Sequence, residues 1–171
     1  MKPKTIIVIL VIFLAVAGLF MWGYAEKGGT SASLQGVAGS NASKSLLVAP
    51  ETFYDFGTIS MKNGDVEREF KVTNPTDKDI TVRTVLTSCM CTTAFVVNPD
   101  GSVKGPFRMP GMGYVPPANE TIKSGESRII RVVYDPNAHG PAGVGLIDRL
   151  VTLTDSSGGR LQLEIKATVT P

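Results

Sequence analysis

The residues best able to do chemistry are the chain's only two cysteines, Cys89 and Cys91, separated by Met90. In an extended strand, side chains two positions apart leave the same face. The two sulfurs are therefore expected to project together, either onto one soft metal ion or, with local bending, onto each other. Thiolates and thioethers favour Cu(I), and thiolates also favour zinc. Further donors stand in Met109-Pro110-Gly111-Met112 and at His139, the single histidine. Cys89, Cys91, Met109, Met112 and His139, with Met90 as an additional sulfur, make a candidate ligand set for copper or zinc. The set closes only if the segment carrying Met109 and Met112 folds over the cysteines.

The same residues have other uses. Buried thiols can serve as small apolar side chains, although outside the cytoplasm free thiols tend to oxidise. A Cys-x-Cys disulfide would close a small, strained and readily reduced ring, which is redox chemistry rather than a structural staple. The motif can equally be a device that turns the chain between two strands. A lone Cys-x-Cys is a weaker metal signal than the paired Cys-x-x-Cys of structural zinc sites. Taken singly, the methionines are gap-fillers in a turn, and His139 is a loop residue. With one histidine there are few general bases. No Gly-x-Ser-x-Gly, phosphate loop or His-Glu-x-x-His is present. The expectation is a non-catalytic module: an interaction or scaffold domain first, a soft-metal binder second, a thiol–disulfide partner third.

The elements that would position these residues are strands. Residues 161–169 (LQLEIKATV) alternate apolar and polar side chains, the signature of a half-buried antiparallel strand. Strands are likewise expected at residues 46–48, 53–59, 66–73, 80–87, 93–97, 127–134 and 147–154, separated by turn signals such as Asn63-Gly64-Asp65 and Ser157-Gly158-Gly159. Residues 98–123 are rich in Gly and Pro and read as a long excursion. Such loops are uncommon in compact domains unless functional or disordered. Arg149 shares its register with Ile147, Val151 and Leu153, so it faces inward or towards a loop end and needs an acidic or carbonyl partner. Asp135 is the candidate. The expected fold is all-β: an immunoglobulin-like β-sandwich of about seven to nine strands over residues 45–171, with a closed barrel as runner-up.

At Tyr54-Asp-Phe-Gly-Thr-Ile59, Phe70-Lys-Val-Thr-Asn-Pro75 and Ser88-Cys-Met-Cys-Thr92, the chain resembles bacterial exported proteins that carry a Hydin-like immunoglobulin domain of unknown function. Those proteins share a Ser-Cys-Gly-Cys-Thr motif, and the resemblance runs from about Ala49 to Pro171. It implies the fold and an exported location, and no biochemical activity. Met90 replaces the motif's Gly, so the position need not adopt a positive φ.

The location follows also from the first residues. Residues 1–4 are expected in the cytoplasm. Residues 5–25 carry an almost unbroken apolar run, TIIVILVIFLAVAGLFMWGY, long enough as a helix to span a bilayer. Lys2 and Lys4 flank it on one side, Trp22 and Tyr24 close it on the other, and that polarity places the rest of the chain outside. A cleaved signal peptide is the rival, disfavoured by the length of the run and the poor cleavage site. Residues 26–44 read as a flexible tether. The formal charge is +2, and setting aside Lys2 and Lys4 leaves the basic residues equal to the 15 acidic ones. An electrically balanced domain argues against nucleic acid as a partner. The expected partners are a membrane, through the N-terminal helix, and a protein at a sheet edge or loop.

Overall fold

The computed structural model describes residues 43–171. The expected cytoplasmic start, membrane-spanning helix and most of the tether lie outside the described residues. Among the described residues no helix is long and apolar enough to cross a membrane.

The described residues form nine strands: β1 (Phe53–Ser60), β2 (Val66–Thr73), β3 (Ile80–Thr87), β4 (Thr92–Val97), β5 (Val103–Phe107), β6 (Glu120–Ile122), β7 (Ser127–Tyr134), β8 (Gly145–Asp155) and β9 (Arg160–Thr170). Two short 3₁₀ turns, Met61–Asn63 and Gly140–Gly143, are the helical content among them. One sheet has the order β1-β9-β8-β3-β6 and the other β2-β7-β4-β5. Strand β1 runs parallel to β9, and every other pairing is antiparallel. Both sheets have open edges, so the described residues form a two-sheet sandwich rather than a closed barrel.

Alternation builds the core. Along β9 the buried residues are Leu161, Leu163, Ile165, Ala167 and Val169. Along β7 they are Arg128, Ile130, Val132 and Tyr134. These rows meet Phe70 and Val72 of β2, Val82 and Val85 of β3, and Ala94 and Val96 of β4 in one apolar cluster. Burying a branched or aromatic side chain stabilises by roughly 1.5–3 kcal/mol relative to exposure.

Three local expectations are corrected. The segment 98–123 is not one structureless excursion. Its first part is β5, hairpinned onto β4 across a tight turn closed by Asn98 N–H to the Ser102 carbonyl (2.9 Å), and its end is β6, paired with β3. Strand β5 hid because it is an edge strand with only Phe107 buried, so it shows no alternation. Gly105 is required there: φ is +131°, and a Cβ would sit 3.1 Å from the Ala94 carbonyl oxygen. Residues 46–48 do not form a strand. Lys44 and Val48 make single bridges, to Arg160 and Thr73 respectively. Finally, Cys89-Met90-Cys91 is a turn rather than extended chain.

A buried charge network ties the two sheets. Glu120 of β6, 5% exposed, accepts from Arg128 Nε of β7 at 2.7 Å and lies 2.6 Å from Lys104 Nζ of β5. Burial alone would raise the Glu120 pKa, but the two cations outweigh it and hold the carboxyl below its ordinary range.

Candidate functional site

Strand β3 belongs to the five-stranded sheet and β4 to the four-stranded one, so the chain must change sheets between Thr87 and Thr92. Two other crossings lie at this end. The β1–β2 connection passes through Met61–Asn63, and the β7–β8 connection runs from Asp135 to Val144 and carries His139. Asn137 Nδ2 donates to the Met61 carbonyl at 2.9 Å, joining those two crossings.

The cysteine turn is closely specified. Thr92 N–H donates to the Cys89 carbonyl (3.1 Å), closing a four-residue turn. Thr87 Oγ1 donates to the carbonyls of Cys89 (3.1 Å) and Thr92 (3.0 Å). Asp135 N–H takes the Cys91 carbonyl at 2.9 Å. Ser88 pairs with β8 in both directions: its N–H donates to the Leu150 carbonyl and its Oγ accepts from Leu150 N–H, each at 2.9 Å. Met90 is exposed and lacks a positive φ, so the turn tolerates a side chain where glycine would otherwise be expected.

Bending the chain, rather than extending it, brings the sulfurs together. Cys91 Sγ donates to Cys89 Sγ at 2.6 Å. His139 Nε2 lies 3.2 Å from Cys89 Sγ. Arg149 Nε donates to Cys91 Sγ at 3.1 Å, and its Nη1 donates to the Asp148 carbonyl at 2.8 Å. Arg149 faces this end as its register predicts, and it finds the expected carbonyl partner in Asp148, but its second partner is the Cys91 sulfur rather than Asp135. The Asp135 carboxylate instead accepts from Asn137 N–H at 2.7 Å and shapes the loop that presents His139.

The two thiols are unequal. Cys89 is half-buried, whereas Cys91 is 2% exposed. Burial pushes the Cys89 pKa up, but hydrogen bonds from the Cys91 thiol and N–H, from His139, and the charge of Arg149 outweigh it and bring the thiol down to about 7. Burial and the hydrogen bond that Cys91 donates hold the Cys91 thiol up, with Arg149 opposing. Tyr134, buried beside them, is raised by burial and by the neighbouring Cys91 sulfur. The arrangement therefore holds one ionisable outer sulfur against one protonated inner sulfur.

The ligand atoms of Cys89, Cys91 and His139 all lie within 4.8 Å of one another, a group that could hold a metal ion. The methionine-bearing loop does return to this end: Thr87 N–H donates to the Arg108 carbonyl at 3.4 Å. Arg108 also lines a groove of about 380 Å³ with Met90, Cys91, Asp135 and Ala138. The side chains that close on the sulfurs are those of His139 and Arg149, while Met109 is half-buried and Met112 is exposed in the loop. The motif carries Ser88 and Thr92 but not their hydrogen-bonding roles, and no local pattern pointed to Thr87 or Tyr134 as part of the site.

Residues 47–100 match a family described as "Protein of unknown function (DUF1573)". The match includes both cysteines and stops before His139 and Arg149. No curated protein matches the chain in sequence. Among solved structures, the chain is similar to a protein of unknown function from Porphyromonas gingivalis W83, with 16% identity and a TM-score of 0.52, covering 77% of this chain and 50% of that one. It is also similar to the secreted serine protease VesC from Vibrio cholerae, with 14% identity and a TM-score of 0.45, covering 73% of this chain and 24% of that one. A family 123 glycoside hydrolase from Clostridium perfringens shares 6% identity with a TM-score of 0.49, covering 69% of this chain and 22% of the enzyme. The chain thus spans half the length of the P. gingivalis protein, and its likeness to that protein is one of fold: residues 43–171 are a two-sheet β domain whose first part is similar to a family of unknown function.

Proposed function

We propose that the chain is an immunoglobulin-like module, held on the outer side of a membrane by residues 5–25, whose working feature is a thiol–disulfide couple formed by Cys89 and Cys91. It acts as a redox partner of another protein rather than as a hydrolase. Its likeness to exported Hydin-like domains with a Ser-Cys-Gly-Cys-Thr motif supports the location. The edge strands β1 and β5, with Phe53 and Val103 exposed, offer the partner a place to dock.

The observation that carries this reading is the 2.6 Å separation of the two sulfurs. Closing to a disulfide, at about 2.05 Å, needs a movement of about half an ångström. Arg149 also directs a hydrogen bond onto the Cys91 sulfur, which a metal would have to share.

A second reading, a soft-metal site for Cu(I) or zinc, is favoured by one observation: His139 completes a three-donor group with the cysteines. Met109 or Met112 would have to move in to supply a fourth donor. Metal content and intact mass of the purified chain, compared with a Cys89→Ser/Cys91→Ser double variant, separate the two. The redox reading expects no stoichiometric metal and a loss of two hydrogens on oxidation. Stoichiometric copper or zinc that disappears in the double variant supports the metal reading instead.

A further inference from the structure

The sandwich end offers the pair an asymmetric setting, and the asymmetry assigns roles. Thiol–disulfide exchange requires the attacking sulfur to approach a substrate disulfide along its S–S axis, so it must be reachable from solvent. Cys89 is half-buried, and its Sγ lies beside the exposed His139. Cys91 is 2% exposed. Its sulfur is covered by Cys89 Sγ at 2.6 Å, Arg149 Nε at 3.1 Å and Thr92 Oγ1 at 3.7 Å. Of the two sulfurs, Cys91 is therefore the harder for a substrate to reach.

Building on the thiol–disulfide reading, we infer that Cys89 is the sulfur that attacks an accessible dialkyl disulfide, that Cys91 resolves the resulting mixed disulfide, and that Arg149 is a positioning residue for the resolving sulfur. In the first step the Cys89 thiolate attacks one sulfur of R–S–S–R. The Cys89–S–R bond forms, the substrate S–S bond breaks, and RS⁻ leaves and takes a proton from water. In the second step Cys91 gives its proton to solvent. Its thiolate, held by the Arg149 N–H, attacks Cys89 Sγ, and the second RS⁻ leaves and is protonated. Two electrons pass from the dithiol to the substrate. The products are a Cys89–Cys91 disulfide and two RSH.

The side chains divide between the two steps. His139 Nε2, 3.2 Å from Cys89 Sγ, donates to the attacking thiolate when that nitrogen carries its proton. Arg149 is fixed by the Asp148 carbonyl and so keeps its Nε on Cys91 while the outer sulfur is occupied. Thr87 anchors both ends of the turn, so Cys91 stays within reach of Cys89 after the substrate has bonded.

The test uses the 171-residue chain in detergent, reduced, freed of reductant and mixed with glutathione disulfide. Acid-quenched samples are read by intact mass and peptide mapping. Cys91→Ser should accumulate one glutathione, mapped to Cys89, and Cys91→Ala should repeat that result without a hydroxyl. Cys89→Ser should react at least roughly tenfold more slowly, because its remaining thiol is buried. In a chain with both cysteines, Arg149→Met should slow loss of the bound glutathione severalfold, because the resolving sulfur loses the N–H that holds it and favours its thiolate. The first step should change less, and Arg149→Lys should recover part of the loss. Equal labelling of Cys91 in Cys89→Ser, or clearance of the adduct by Arg149→Met as fast as by the wild type, would overturn the assignment while leaving the couple intact. A wild-type chain that never loses two hydrogens overturns the underlying reading itself.

Discussion

Alkylation of the reduced chain should report the Cys89 thiol directly. An ordinary thiol at 9.0 is about 1% ionised at pH 7, whereas one brought down to about 7 is about half ionised, a gain of roughly fiftyfold in thiolate. A less basic thiolate is also a weaker nucleophile. With a Brønsted slope near 0.45, two pK units remove about eightfold, so Cys89 should react about sixfold faster than an unperturbed cysteine at pH 7. The sign follows from the shift: protonation silences the sulfur, so the rate falls about fivefold from pH 7 to pH 6 and levels off above pH 8. The assay is iodoacetamide modification in the presence of a phosphine reductant, followed by mass spectrometry from pH 5.5 to 9.5. One equivalent should react rapidly, mapped to Cys89, with Cys91 following slowly because it is buried. Replacing His139 by Ala or Arg149 by Met should move the half-rise upward, since each removes a group that favours the thiolate. A half-rise near pH 9 in the unmodified chain, or equal reaction at both cysteines, would refute the reasoning.

Three further outcomes are expected. Thr87→Val removes the hydroxyl that serves the Cys89 and Thr92 carbonyls; it should cost about 1–2 kcal/mol in urea unfolding and slow disulfide closure by loosening the turn. Glu120→Ala leaves Arg128 with Glu126 and two backbone carbonyls but without its buried partner, so a loss of about 2 kcal/mol is expected, below the usual cost of breaking a buried pair. Because the Glu120 pKa is depressed in the fold, that stabilisation is present above its ordinary value of 4.5 and is lost as pH falls through the lower folded value, which acid unfolding of the two chains side by side would show. Leu163→Ala, at a fully buried position of β9, should cost about 2–5 kcal/mol by differential scanning calorimetry or denaturant melts, with no change in Cys89 alkylation once refolded.

Where burial imposes a period of two, the sequence exposes the strand. Strand β9, with five inward apolar residues, was legible almost to its ends, and so was β7. Strands β5 and β6 were not. The first lies on an edge with four exposed residues, and the second has three residues, one of them a buried glutamate that breaks the apolar pattern. For the site, residue types were readable and geometry was not. Same-face projection of Cys89 and Cys91 was inferred from an extended strand, yet the sulfurs meet because the chain turns between sheets. Arg149 was legible as an inward-facing cation in need of a partner, but its choice of Cys91 over Asp135 depends on how two sheet crossings pack, which no local pattern encodes. The contact of His139 with Cys89 spans 50 positions and arises the same way.

The most direct test of the central claim is the intact mass and metal content of the chain equilibrated in a glutathione redox series. The account predicts a reversible conversion to a species lighter by about 2 Da, with a single Cys89–Cys91 linkage and no bound metal. A mass that never changes, or stoichiometric copper or zinc held by the two cysteines throughout, would contradict it.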